Sequence, residues 1–279
     1  MKKILKNSVA VMLMLLLACT VAFIASPEAA AADPGTTVSN PIILTPDVFY
    51  TRYWTDANDH LNCYCKIEVP ERGYITFTIV KPLDAEGEAG TFDLDLYDPT
   101  GELLWGADTD ALQDSFSDTY VYKIGLDAGT YYMNLDPSFY VTSGSIPTDF
   151  KYSFTADSYW EVEPNGDKSY AMPIELDTMY SGVYCEESYD VLYNDYYSIE
   201  LKAGKKYLLK IDNFAKTSAY AKIFDPSGDD YTFYDFESDS QEGKVYIWEY
   251  TPAVTGTHYV AICYEANEAP KEYKIGVFE

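Results

Sequence analysis

Tyr64-Cys65-Lys66-Ile67-Glu68-Val69 returns as Tyr196-Tyr197-Ser198-Ile199-Glu200-Leu201, and in the second copy Tyr197, Ile199 and Leu201 alternate with Ser198 and Glu200. A period of two sends apolar side chains to one face of an extended strand and polar ones to the other. Working outward, Pro41-Ile42-Ile43-Leu44 answers to Pro173-Ile174-Glu175-Leu176 at the same spacing of 132 residues. Downstream, Tyr97-Asp98-Pro99-Thr100-Gly101 matches Phe224-Asp225-Pro226-Ser227-Gly228, and Gly129-Thr130-Tyr131-Tyr132 matches Gly256-Thr257-His258-Tyr259, both at a spacing of 127. Four matches in one order indicate a duplicated domain, because the repeats of a stacked solenoid are only ~20–50 residues long.

Other strands read the same way. Ile75, Phe77 and Ile79 alternate with Thr76 and Thr78, Leu94 and Leu96 with Asp93 and Asp95, and Tyr207, Leu209 and Ile211 with Leu208 and Lys210. No segment carries a sustained helical stripe, and the 28 tyrosines favour strands, where they pack as cross-strand pairs. The two Asp-Pro-x-Gly turns put proline where φ is already fixed and glycine where positive φ is tolerated. The expectation is an all-β chain of two tandem antiparallel β-sandwiches, jelly-roll-like, over 33–157 and 158–279. Their boundary falls near Asp157-Ser158-Tyr159-Trp160.

Ahead of them, Lys2, Lys3 and Lys6 precede an apolar run from Val9 to Ala25 and then an alanine tract. This is the plan of a secretory signal peptide over residues 1–32, cut after Ala30-Ala31-Ala32 to leave Asp33 first. Two competing readings stay open: an uncleaved anchor, for which the run is short, and lipidation at Cys19, since Leu16-Leu17-Ala18-Cys19 resembles a lipobox. The folded part is therefore expected to be secreted, or alternatively held at the cell surface through Cys19, with no membrane insertion after cleavage.

The formal charge is −26, and about −28 without Lys2, Lys3, Lys6 and Glu28. Such a surface repels phosphate backbones and anionic lipids, which argues against nucleic acid as a partner. Metal cations, basic proteins and neutral polymers stay open, as does acidity serving solubility alone. A monomer is expected.

Four cysteines follow the leader: Cys63, Cys65, Cys185 and Cys263. On a strand, Cys63 and Cys65 share a face and are poorly placed to bond each other. Cys185 and Cys263 could pair or remain buried thiols, and the spacing decides neither. There is no Cys-x-x-Cys, no His-Glu-x-x-His, no Gly-x-Ser-x-Gly and no glycine-rich phosphate loop. Only His60 and His258 exist, the latter in a strand where it reads as a cross-strand or edge residue. A catalytic apparatus is not expected, although paired carboxylates for glycoside hydrolysis remain conceivable in so acidic a chain. Asp56-Ala57-Asn58-Asp59 begins like a calcium loop, but Leu61 stands where glycine is needed.

The second copy resembles the bacterial pre-peptidase C-terminal domain, a family that includes the collagen-binding domains of clostridial collagenases. The matching residues are Glu161-Val162-Glu163-Pro164-Asn165, Asn194-Asp195-Tyr196-Tyr197, Ala203-Gly204, Asp225-Pro226-Ser227-Gly228 and Gly256-Thr257-His258-Tyr259-Val260. The first copy looks like a divergent member without the Glu-x-Glu-Pro-Asn opening. The resemblance implies calcium ligands at Glu161, Glu163 and Asn165, helped by Asp195 and by Asp167 or Asp190, while Tyr193 stands where relatives carry another acid. Calcium wants six to eight oxygens, which such a set supplies in kind; an acidic linker with capping roles is the competing reading. The resemblance also implies recognition through exposed tyrosines of one sheet; this chain has many, including Tyr259, Tyr264 and Tyr273 in the late strands, but most are expected to pack in the core or across strands, and none is singled out as a site.

The function expected is a non-catalytic extracellular binding or accessory protein that recognises a collagen-like protein or a polysaccharide. The alternative is a structural or secretion module that stabilises a separately encoded protease.

Overall fold

A computed structural model describes residues 34–55, 61–83, 90–109, 118–139, 141, 144–184, 193–212, 219–228, 231–235, 245–264 and 271–279. The expected signal peptide, Cys19, Asp56–Asp59, His60, Cys185 and Asp190 lie outside the described residues.

The first half contributes β1 (Ile42–Ile43), β2 (Tyr50–Trp54), β3 (Cys63–Val69), β4 (Gly73–Val80), β5 (Phe92–Tyr97), β6 (Leu103–Asp108), β7 (Thr119–Leu126), β8 (Gly129–Pro137) and β9 (Ile146–Ala156). They form a five-stranded sheet, β1-β3-β8-β5-β6, and a four-stranded sheet, β2-β9-β4-β7. The second half contributes β10 (Met172–Pro173), β11 (Tyr180–Tyr184), β12 (Tyr193–Leu201), β13 (Tyr207–Asp212), β14 (Ala219–Phe224), β15 (Tyr231–Asp235), β16 (Tyr246–Tyr250), β17 (Gly256–Tyr264) and β18 (Lys271–Phe278). Its sheets run β10-β12-β17-β14-β15 and β11-β18-β13-β16, the same order strand for strand. The strand pairs are antiparallel except for short β1 and β10, which lie parallel to β3 and β12.

The registers correct one of the sequence matches. Leu44 N donates to Lys66 O and Ile174 N donates to Ser198 O, so Leu44 answers to Ile174 and not to Leu176. The spacing there is 130. A two-residue slip keeps every side chain on its own face, so the apolar pattern conceals it. The same spacing relates Asp47 and Asp177, which share a left-handed backbone at φ 63° and 59°. It also relates two equivalent bonds, Thr45 N to Tyr50 Oη and Glu175 N to Tyr180 Oη.

Each sandwich closes over its own core: Ile67, Phe77, Leu96, Met133 and Phe150 in the first, Tyr197, Leu209, Ile223, Val260 and Ile275 in the second, all buried. Burial of such side chains contributes ~1.5–3 kcal/mol each. The matched turns are also built alike. Asp98 Oδ1 accepts from Thr100 N (2.7 Å) and Asp225 Oδ1 from Ser227 N (3.0 Å), while Gly101 and Gly228 take φ of 88° and 78°.

The segment after β9 joins the sandwiches tightly. Trp160 stacks on Tyr74 with ring centroids 4.0 Å apart, and Arg72 donates to Trp160 O at 3.0 Å. Lys123 pairs with Glu272 across the joint, and Glu163 N donates to Gly125 O at 3.0 Å. Gly125 has no room for a side chain, since a Cβ would stand 1.8 Å from Glu161 O.

Candidate functional site

The linker residues run first along the four-stranded sheet of the second sandwich and then across to its five-stranded sheet. Ser181 N donates to Tyr159 O and Glu161 N donates to Ser181 O, both at 2.8 Å. Further on, Tyr196 N donates to Asn165 O at 2.8 Å. Spanning both sheets turns Glu161 inward, where it is 2% exposed. Asp195 and Tyr197 arrive from the inward phase of β12, and Tyr273 from β18; Asp195 is 6% exposed and both tyrosines are fully buried.

Glu161 Oε1 accepts from Val183 N, and Oε2 accepts from Tyr197 Oη (2.8 Å) and Asn165 Nδ2 (3.2 Å), with Tyr273 Oη 3.2 Å away. Tyr273 Oη donates to Asp195 Oδ2 at 2.6 Å, and the two tyrosine oxygens are 2.6 Å apart. Counting protons along this chain is decisive. Glu161, Tyr197, Tyr273 and Asp195 make three short oxygen–oxygen links, yet the two hydroxyls supply two protons. A third proton therefore resides on a carboxyl, or a cation takes its place. Burial pushes the Glu161 carboxyl up to about 7, and burial with repulsion from Glu161 and Glu163 pushes Asp195 well above the ordinary range. Both tyrosine hydroxyls are pushed up for the same reasons. Gly182 is the wall of this pocket, because a Cβ there would lie 2.5 Å from Glu161 Oε2 and 2.7 Å from the Tyr273 ring.

Of the expected calcium ligands, the structure brings Glu161, Asn165 and Asp195 together in the buried pocket. Glu163 lies beside it and accepts from Asn165 N at 3.1 Å. Asp167 is not part of it. That side chain is exposed and caps the following short 3-10 turn, accepting from Ser169 N (2.8 Å) and Oγ (2.7 Å), which holds its carboxyl below the ordinary range. The donors fit calcium in kind, as hard oxygens with uncompensated negative charge, once Asn165 turns its amide oxygen inward. Sequence reasoning missed Tyr197 and Tyr273. The legible signal was a polar residue, Asp195, at a core-facing position of an otherwise apolar strand phase.

The first sandwich has a different pocket. The registers place Cys63 where the second has Asp195, Cys65 where it has Tyr197, Thr148 where it has Tyr273, and Arg52 where it has Gly182. Cys63, Cys65 and Cys263 are buried free thiols.

Outside the second sandwich, the outer face of β12-β17-β14-β15 is paved with aromatic rings. Tyr196, Tyr259, Tyr220, Phe224, Tyr231 and Phe233 occupy its outward positions. Tyr220 and Phe233 lie 4.9 Å apart and Phe224 and Tyr231 5.4 Å apart, all tilted. Tyr231 and Phe233 are 55% and 51% exposed. Lys222 stands among them, 5.0 Å from the Tyr220 ring and 5.1 Å from that of Tyr231. Tyr273 does not belong to this surface, since its inward phase carries it into the core. The Tyr264 side chain lies outside the described set.

His258 is not an edge residue. It lies in central β17 opposite Ile199, fully buried, with Nδ1 3.0 Å from Gly256 O and its ring against Tyr250.

No protein-family model matches the chain, and no curated protein matches it. Among solved structures, the CUB1-EGF-CUB2 domain of human MASP-1/3 is similar over 82% of this chain and 99% of that one, at 11% identity and a TM-score of 0.22. The tandem CBM22-1-CBM22-2 domain of Paenibacillus barcinonensis Xyn10C is similar over 82% and 90%, at 9% identity and a TM-score of 0.23. Similarity at this level carries no information on function. Among the described residues, no helix is long and apolar enough to cross a membrane.

Proposed function

We propose that this chain is a secreted, non-catalytic binding protein that recognises an extracellular polymer, a collagen-like protein or a polysaccharide, on the aromatic outer face of its second sandwich. The observation that carries this reading is the pairing of exposed Tyr231 and Phe233 with the less exposed rings of Phe224 and Tyr220. A soluble domain rarely leaves such a face open without a ligand, and rigid rings bury area at low entropic cost. The burial of His258 supports a non-catalytic role, because it denies this imidazole access to a substrate.

Calcium belongs to the same proposal. Glu161, Glu163, Asn165 and Asp195 would hold it through oxygen, and its charge would replace the shared proton and offset the repulsion from Glu163. The ion then acts as a structural clamp on the linker beneath the binding sheet.

The test is retention on insoluble collagen and on a panel of insoluble polysaccharides, with Tyr231→Ala and Phe233→Ala beside the parent. We expect retention on one polymer that falls in both variants while their melting temperatures stay unchanged. Retention indifferent to both variants, or absent on every polymer, overturns the reading.

A further inference from the structure

The pocket of the first sandwich is a sulfur site in the position where the second copy has an oxygen site. Cys63 and Cys65 face inward on β3, and Cys65 stands directly opposite Met133 on β8, which places the three sulfur-bearing side chains on one face of adjacent strands. All three are fully buried. Cys65 Sγ lies 4.0 Å from Cys63 O, and the two side chains are hydrogen-bonded to each other.

The surroundings are not those of an inert apolar core. Arg52, 8% exposed, occupies the position of Gly182; a hydrogen bond from Cys65, helped by the Arg52 charge, holds the Cys63 thiol below its ordinary value despite burial. Burial and the neighbouring Cys63 push the Cys65 thiol well above its ordinary value, so a metal bound here must displace that proton as it binds. Where Asp195 offers a hard carboxylate oxygen in the second copy, the first has the Cys63 sulfur, a poor ligand for calcium. Thiolate and thioether donors instead select soft cations.

We infer that Cys63, Cys65 and Met133 form a binding site for a soft monovalent cation, with copper(I) as the chemical type. Two thiolates and one copper(I) ion leave a single negative charge, which Arg52 balances. Binding exchanges two thiol protons for one cation and changes no oxidation state. The site is separate from the aromatic face and from the Glu161 pocket, and stands whether or not those bind.

The experiment uses the full mature chain, reduced and oxygen-free, titrated into the copper(I) complex of a chromophoric chelator whose bleaching reports transfer. One equivalent per chain is expected. Cys63→Ser and Cys65→Ser each abolish transfer, Met133→Leu weakens it, and Cys263→Ser, a buried thiol of the other copy, leaves it intact. Absorption at the copper edge of the loaded parent chain should show sulfur neighbours alone, a readout independent of how the variants fold. Failure of the parent to take copper, transfer that survives Cys63→Ser with Cys65→Ser, or oxygen and nitrogen neighbours at the metal overturns the inference.

Discussion

Replacing Tyr273 by Phe removes one oxygen from the middle of the buried carboxyl chain and leaves the ring in place. That hydroxyl lies 2.6 Å from Asp195 Oδ2, 2.6 Å from Tyr197 Oη and 3.2 Å from Glu161 Oε2. Its loss takes the donor from Asp195 and breaks the link between the two acids in a buried pocket, where Asp195 is 6% and Glu161 2% exposed. A buried acceptor left unsatisfied costs ~1–3 kcal/mol, more if charged. Asp195 loses its donor while Tyr197 and Glu161 lose a polar neighbour, so the expected loss is at the upper end of that range, about 3 kcal/mol. Tyr197→Phe is the internal comparison: it removes the 2.8 Å bond to Glu161 and the 2.6 Å link to Tyr273 but leaves the Tyr273 hydroxyl within reach of both acids, and should cost about 1 kcal/mol. The assay is urea unfolding at neutral pH with chelator present, followed by tyrosine fluorescence and circular dichroism. Equal losses for the two variants, or a loss below about 0.5 kcal/mol for Tyr273→Phe, would refute the assignment of Tyr273 as the bridge.

Three further outcomes are expected. Without calcium, the unfolding free energy should fall as pH rises, because folded Glu161, with its pKa at about 7, keeps a proton that the unfolded chain has released above 4.5. The contribution is fully present below 4.5 and lost through about 7, worth on the order of 3 kcal/mol, and Glu161→Gln should flatten it; a parent whose stability is level or rising from pH 5 to 7 in chelator speaks against the buried proton. Millimolar calcium should raise the melting temperature, and Glu163→Ala should remove that rise; identical melting curves in chelator and calcium would rule the ion out. Gly125→Ala should destabilise the joint by about 3 kcal/mol or more, because its Cβ meets the Glu161 backbone, whereas Gly101→Ala, with φ 88° and open space around it, should cost about 1 kcal/mol; similar melting temperatures for the two would contradict the packing described for the linker.

Much of the fold was legible because sandwich strands state their faces in a period of two. Ile75, Phe77 and Ile79, and Tyr197, Ile199 and Leu201, are buried as the alternation requires. The register of β1 and β10 was not legible, since a slip of two leaves the same residues facing inward. Much of the candidate site was also readable, because Glu161, Glu163 and Asn165 come as one short motif and Asp195 stands in a second. Asp167 was misplaced: two residues after Asn165 the chain turns outward, and the carboxylate finds Ser169 N before it finds the pocket. Tyr273 could not be singled out among the 28 tyrosines, because nothing local distinguishes a ring facing polymer from one facing a buried acid.

The amino-acid sequence by itself determined that the chain is all-β, that its domain is duplicated and that the linker is acidic, since periodicity, turn chemistry and repetition are local properties. Only the tertiary structure decided that Glu161 and Asp195 share a dry pocket with Tyr197 and Tyr273, and that Cys63 and Cys65 stand in the matching position of the first copy. The reason is physical: proton sharing depends on oxygens from β12, β18 and the linker meeting within hydrogen-bond distance away from water. That convergence is set by how two sheets close over a core, and no stretch of sequence contains it.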